Sequence, residues 1–137
     1  MATIDEIRKN RLEKLVALRK SGVEPYPLAA SAERRSLADV AENFSKYEKE
    51  KEIIIAGRIM AIRGQGGLSF FTIQDGTGKF QGLLKKDESG EKLFQLFADS
   101  ADIGDFVEAG GTLFTTQRGE KTLLVKSWRI LSKSLRP

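Results

Sequence analysis

Two periodicities divide the chain. Up to about residue 44 apolar side chains recur every three or four positions, the spacing of a helix with one buried face. From Glu52 onward they alternate, or run as β-branched blocks, as strands require. In the first part Thr3 reads as an N-cap, Glu6 completes a capping box, and Asp5 with Glu6 suits the positive end of a helix. Ile4, Ile7, Leu15 and Leu18 follow at helical spacing until Gly22, Pro25 and Pro27 stop it. A helix of about five turns is therefore predicted over residues 4–21. Arg8, Arg11 and Arg19 interrupt its apolar stripe, which places it on a surface rather than in a core. Pro25-Tyr26-Pro27 is stiff and extended, and residues 28–35 read as a connector. Ser36 caps a short helix over residues 37–44, and residues 45–51 form a charged, solvated run. Residues 1–51 thus make a helical N-terminal extension.

The strand-like part opens with Glu52–Arg63, in which Gly57 marks an expected bulge or bend. A glycine-rich loop, Gly64–Gly67, leads into LSFFTIQDGTGKFQ, which reads as strand, turn, strand. Phe71 and Ile73 fall on one face of the first of these strands, and Phe70, Thr72 and Gln74 on the other. Across the turn Phe80, Gly82 and Leu84 share a face, leaving Lys79 and Gln81 opposite. A polar break over residues 85–90 precedes an amphipathic helix, Glu91–Ala98. Phe106–Thr116 and Glu120–Leu131 are the last two strands, joined by a turn at Gln117–Gly119, and Trp128 is expected in core or linker packing rather than as a base platform. Strand, strand, strand, helix, strand, strand within about 80 residues is the order of the five-stranded Greek-key OB-fold barrel, here over residues 52–131. The fold class is mainly β with a helical N-terminal extension. A sandwich would need about seven strands, and a parallel sheet a helix after each strand.

Composition changes this picture chiefly by what it excludes. Among 137 residues there is no His and no Cys, so the usual zinc sites and Ser-His or Cys-His nucleophiles are ruled out. No apolar run of about 18 residues would span a membrane and no apolar leader opens the chain, so a cytoplasmic setting is expected. The net charge of +4 suits a polyanion. That charge sits at the ends: residues 121–137 hold Lys121, Lys126, Arg129, Lys133 and Arg136 with no acid, while residues 52–114 are net acidic. Residues 132–137 read as a basic tail that belongs to none of these elements.

OB-folds take oligonucleotides across their second and third strands and through the loops joining strands one to two and four to five. The residues offered there are Arg63 beside the glycine loop, Phe70 and Gln81 on the outer face of the central hairpin, and Arg118 and Glu120 at the last turn. A flat ring stacks a base, and an amide carries both a donor and an acceptor for a base edge. Asp75-Gly76-Thr77-Gly78 looks like a phosphate cradle, but no helix follows it, so a hairpin turn is expected.

The segments RLEKLVALRKSGVEPYP, AGRIMAIRGQGG, SFFTIQDGTGKFQ and GDFVEAGGTLFTTQRGEKTLLVKSWRILSKSLRP together resemble the N-terminal anticodon-binding domain of bacterial lysyl-tRNA synthetases, class II enzymes related to the aspartyl and asparaginyl ones. The resemblance implies that Phe70 stacks on the central anticodon uridine, that Gln81 bonds its edge, and that Arg63 and Glu120 border it. It implies contacts of Arg8, Arg11 and Lys14 with the stem backbone, and Arg118 is a further backbone candidate. It implies lysine tRNA as partner, ATP, magnesium and homodimer contacts in the larger enzyme, and residues 132–137 as the start of a linker to that enzyme's catalytic domain. The 137 residues themselves are expected to bind RNA without catalysis, with no cofactor or metal. The competing readings are a general single-strand binder and a protein-interaction module. An independent enzyme is the weakest reading, given the missing His and Cys.

Overall fold

The computed structural model describes residues 3–20 and 33–134. The expected helix stop at Gly22, Pro25 and Pro27, the connector as far as residue 32 and Leu135–Pro137 lie outside them. The elements are α1 (Ile4–Lys20), α2 (Leu37–Glu42), α3 (Phe44–Tyr47), β1 (Ile53–Gln65), β2 (Leu68–Gln74), β3 (Lys79–Lys85), α4 (Lys86–Ser89), α5 (Glu91–Ser100), β4 (Phe106–Thr115) and β5 (Lys121–Ser132). The five strands close into a barrel in the order β1-β2-β3-β5-β4, with β4 returning to β1. All neighbours are antiparallel except β3 and β5, which run parallel. This is the expected OB-fold, with α5 between the third and fourth strands.

The barrel closes because β1 serves two partners in turn. Its residues 53–58 pair with β4 and its residues 58–65 with β2. At the changeover Gly57 runs so close to β2 that a Cβ there would lie 2.8 Å from the Gln74 carbonyl oxygen. The bulge expected at Gly57 lies instead at Met60. Ile59 pairs with Ile73 but Ala61 with Thr72, leaving Met60 as the extra residue. The glycine loop is also shorter than expected: the ladder continues through Gln65, and only Gly66 and Gly67 turn the chain.

Ile53, Ile55, Ile59, Phe71, Ile73, Phe80, Leu84, Val107, Leu113, Leu123, Val125 and Ile130 fill the barrel. Phe97 of α5 closes one end, its ring 5.2 Å from those of Phe71 and Trp128, the latter edge-on. Phe44 packs on Phe80 at the other end, beside the β2–β3 turn. That turn also holds the helical extension. Asp75 Oδ1 accepts from the Thr77 and Gly78 amides, Asp75 Oδ2 accepts from the Leu37 amide at 3.0 Å, and Thr77 Oγ1 accepts from the Ala38 amide at 3.0 Å. Together with Ser36, which caps Asp39 N, these groups satisfy the orphan donors that open α2. The cradle-like DGTG is thus a turn that caps a helix.

Further expectations change. The single helix over 37–44 is two short ones, broken at Asn43. The run 45–51 is not wholly solvated, because Tyr47 is buried, donates to Asp39 Oδ2 at 2.9 Å and lies under the Arg35 guanidinium. The polar break at 85–90 contains the short helix α4. The basic tail is likewise partly internal. Lys133 is fully enclosed, and its Nζ donates to Asp102 Oδ2 and Asp105 Oδ2, each at 2.6 Å. Helix α1 packs on α5 on the barrel exterior and joins the same network: Lys14 Nζ donates to Asp102 Oδ1 at 2.6 Å, and Arg11 Nη1 donates to the Ser134 carbonyl and hydroxyl.

Candidate nucleic-acid interface

Strand alternation places the site. Phe71 and Ile73 point into the barrel, so Phe70 and Thr72 point out, and on β3 Phe80 and Leu84 send Gln81 outward in the same way. Phe70 lies opposite Leu83 and Gln81 opposite Thr72, so ring and amide are diagonal neighbours on one outer face. The bulge at Met60 brings in the cation. Counting from Ile53 by twos would turn Arg63 inward, but the extra residue moves Ile62 to the core side, opposite Phe71, and Arg63 to the outside, opposite Phe70. The Arg63 guanidinium carbon sits 5.1 Å from the Phe70 ring centroid. Phe70 is half-buried and Arg63 exposed.

The far border comes from β5, joined to β3 through the pair Gln81–Thr122. Gln81 Nε2 donates to Thr122 Oγ1 at 2.9 Å, and the Thr122 hydroxyl donates to the Glu120 carbonyl at 3.2 Å. The turn carrying Arg118 and Glu120 is closed by Gly119 N donating to the Thr116 carbonyl and by Thr116 N donating to the Glu120 carbonyl. The Glu120 and Arg118 side chains are both exposed at this rim. The structure therefore brings Arg63, Phe70 and Gln81 onto one face, with Glu120 linked to Gln81 through Thr122.

The N-terminal candidates divide. Arg8 is exposed on α1. Arg11 and Lys14 spend their charge inside the molecule, on Ser134 and Asp102, so a phosphate would have to compete with those bonds. Burial pushes the Asp102 carboxyl up, but hydrogen bonds from Lys133 and Lys14 outweigh it and hold the group below its ordinary value. Two residues that shape the face went unmarked in the sequence reading. Leu83, between Phe70 and Leu124, is buried although it points outward, and Thr122 is fully enclosed. Nothing local marks Thr122, because its partner strand lies across the parallel β3–β5 pairing.

Among the described residues, no group of three or more His, Cys, Asp or Glu is placed to hold a metal, and no helix is long and apolar enough to cross a membrane. Residues 53–131 match the family model for the tRNA anti-codon type of OB-fold nucleic acid binding domain. The chain is 45% identical over 135 residues to a lysine–tRNA ligase of Carboxydothermus hydrogenoformans, covering 98% of this chain and 27% of that protein. It is 41% identical to the lysine–tRNA ligase of Christiangramia forsetii, over 100% of this chain and 24% of the relative. With the lysine–tRNA ligase of Thermotoga maritima the identity is 37%, over 98% and 28%. The chain spans about a quarter of the length of the curated relatives it matches. Barrel, outer face and family model agree: the chain belongs to the tRNA anti-codon family of OB-fold nucleic acid binding domains.

Proposed function

We propose that the chain is the anticodon-reading domain of a lysine–tRNA ligase and that its β2–β3 face receives the central base of the anticodon, a uridine. The observation that carries this is the joint presentation of Phe70, Arg63 and Gln81 on the outer face of an OB barrel. An unpaired base stacks on the Phe70 ring, its edge meets the Gln81 amide, and the Arg63 cation beside the ring meets the nucleotide's phosphate. Glu120 and Arg118 border the same base from the β4–β5 turn, the carboxylate as a hydrogen-bond acceptor and the guanidinium toward the backbone. Arg8, exposed on α1, is placed to follow the stem backbone. Transfer of lysine to tRNA, with ATP and magnesium, belongs in this reading to the remaining three-quarters of such an enzyme, as do the homodimer contacts. Among the described residues of this domain, no group of three or more His, Cys, Asp or Glu is placed to seat magnesium.

The test is a titration of fluorescent anticodon stem-loops at fixed salt, varying only the central base. Uridine binds best, and Phe70→Ala weakens every loop by about 1–3 kcal/mol because stacking does not depend on base identity. Gln81→Ala flattens the preference among bases. Equal affinity of the unmodified domain for all four central bases refutes the proposal and leaves a general single-strand binder.

A further inference from the structure

Base selection needs more than an amide. Gln81 offers a carbonyl oxygen and an NH2 group, and turned over it would suit the reverse arrangement equally well. Uracil presents an acceptor at O4 beside a donor at N3, whereas cytosine presents a donor at N4 beside an acceptor at N3. At the same two places on a stacked base the two pyrimidines are opposites. A freely turning amide accepts both; a fixed one fits one and opposes the other.

The amide of Gln81 is fixed, and the hydrogen bonds have a direction. Nε2 donates to Thr122 Oγ1 at 2.9 Å, and the Thr122 hydroxyl donates to the Glu120 carbonyl oxygen at 3.2 Å. A carbonyl can only accept and a hydroxyl has one proton, so Thr122 turns lone pairs toward Gln81 and can be met only by the NH2 end. Turning the amide over would set two acceptors face to face unless the hydroxyl released Glu120. Either way one hydrogen bond is lost. The acceptor is itself held still, since the Glu120 carbonyl also takes the Thr116 amide at 2.9 Å within the β4–β5 turn. Thr122 is fully enclosed, and water does not compete for its hydroxyl.

We infer that Thr122 is a positioning residue for base selection: by holding the Gln81 amide in one of its two orientations, it makes the domain favour a uracil edge over a cytosine edge. Thr122 touches no nucleotide and acts through Gln81. The inference rests on the reading above, in which Gln81 faces the base.

Matched anticodon stem-loops differing only by uridine or cytidine at the central position are titrated against the unmodified domain, Thr122→Val and Thr122→Ser. Valine keeps the shape of threonine and removes the hydroxyl, and serine keeps the hydroxyl. In Thr122→Val the uridine-to-cytidine affinity ratio falls about five- to tenfold, the loss of roughly one oriented hydrogen bond. Thr122→Ser retains the ratio. A valine variant that keeps the full ratio, or that weakens both loops equally, overturns the inference and leaves the anticodon reading standing. An unmodified domain with no preference for uridine removes the anticodon reading itself, and the inference with it. A second measurement needs no variant. In the RNA-free protein, nitrogen-15 spectra show one of the two Gln81 Nε2 protons protected from solvent exchange. Free exchange of both protons overturns the inference even if the valine variant does not fold.

Discussion

Replacing Lys133 by Met tests whether the end of β5 is bound as tightly as its geometry indicates. The lysine is fully enclosed and bridges two carboxylates, Asp102 and Asp105, each at 2.6 Å. Removing one partner of a buried ion pair costs about 3–5 kcal/mol, because the other charge is left without compensation. Here Asp102 keeps Lys14 at 2.6 Å, and Asp105 keeps the amides of Asp102 and Ser134 at 2.8 and 2.7 Å, so the lower end, about 3 kcal/mol, is expected. Against a total of about 5–15 kcal/mol the domain still folds. With a urea slope of about 2 kcal/mol per molar, the unfolding midpoint drops by about 1.5 M. The Asp102 pKa adds a pH signature. It is depressed in the folded state, so the stability it brings is complete above its unfolded value of about 3.9 and lost as pH falls through the folded value. Acidification therefore erodes the unmodified protein more steeply than Lys133→Met, and the gap between them narrows below about pH 4. A midpoint shift under about 0.5 M refutes the buried-charge argument.

Three further substitutions bear on how the barrel carries the site. Gly111→Ala should cost about 3 kcal/mol or more in urea unfolding, because the new Cβ would lie 1.9 Å from the Leu124 carbonyl oxygen, a backbone atom that cannot yield without breaking the β4–β5 ladder. Gly76→Ala, at the open tip of the β2–β3 turn with nothing within 4 Å, should stay within about 0.5 kcal/mol in the same assay. Asp75→Ala should cost about 2 kcal/mol by removing the acceptor for the Leu37, Thr77 and Gly78 amides. Burial raises the Asp75 pKa, but the hydrogen bond from the Thr77 hydroxyl and those from the three amides outweigh it and leave it depressed, so the cost shown by urea titrations at successive pH values should shrink as acid protonates the carboxyl.

What could be read from the residues follows from how local each signal is. The faces of LSFFTIQ and KFQGLLK came out as expected, because a period of two needs only the strand itself. The cap of α2 at Ser36 and the helix between β3 and β4 were legible for the same reason. Tyr47, in a run expected to be solvated, and Lys133, in a tail expected to belong to no element, are instead buried by partners elsewhere in the chain: Asp39 and Arg35 for the tyrosine, Asp102 and Asp105 for the lysine. A charged run read alone has no way to announce that its counter-charges are already waiting inside.

The site itself was legible as a set of residues and not as an arrangement. An unbroken β1 would send Arg63 to the same side as Ile53, Ile55 and Ile59, into the barrel, where an unpaired guanidinium is costly. The extra residue at Met60 resolves this by shifting the apolar series from odd to even positions, so that Ile62 enters the core and Arg63 emerges beside Phe70. The trace of that shift is present in IIIAGRIMAIR as a gap of three between Ile59 and Ile62 where two would keep the alternation. Thr122 leaves no comparable trace, since its bond to Gln81 depends on the one parallel pairing in the barrel, between strands that chain order does not make neighbours. The ring and the cation of the β2–β3 face thus follow from local patterning, whereas the orientation of the amide requires closure of the barrel. Selectivity for the base should accordingly fail before affinity when that closure is loosened.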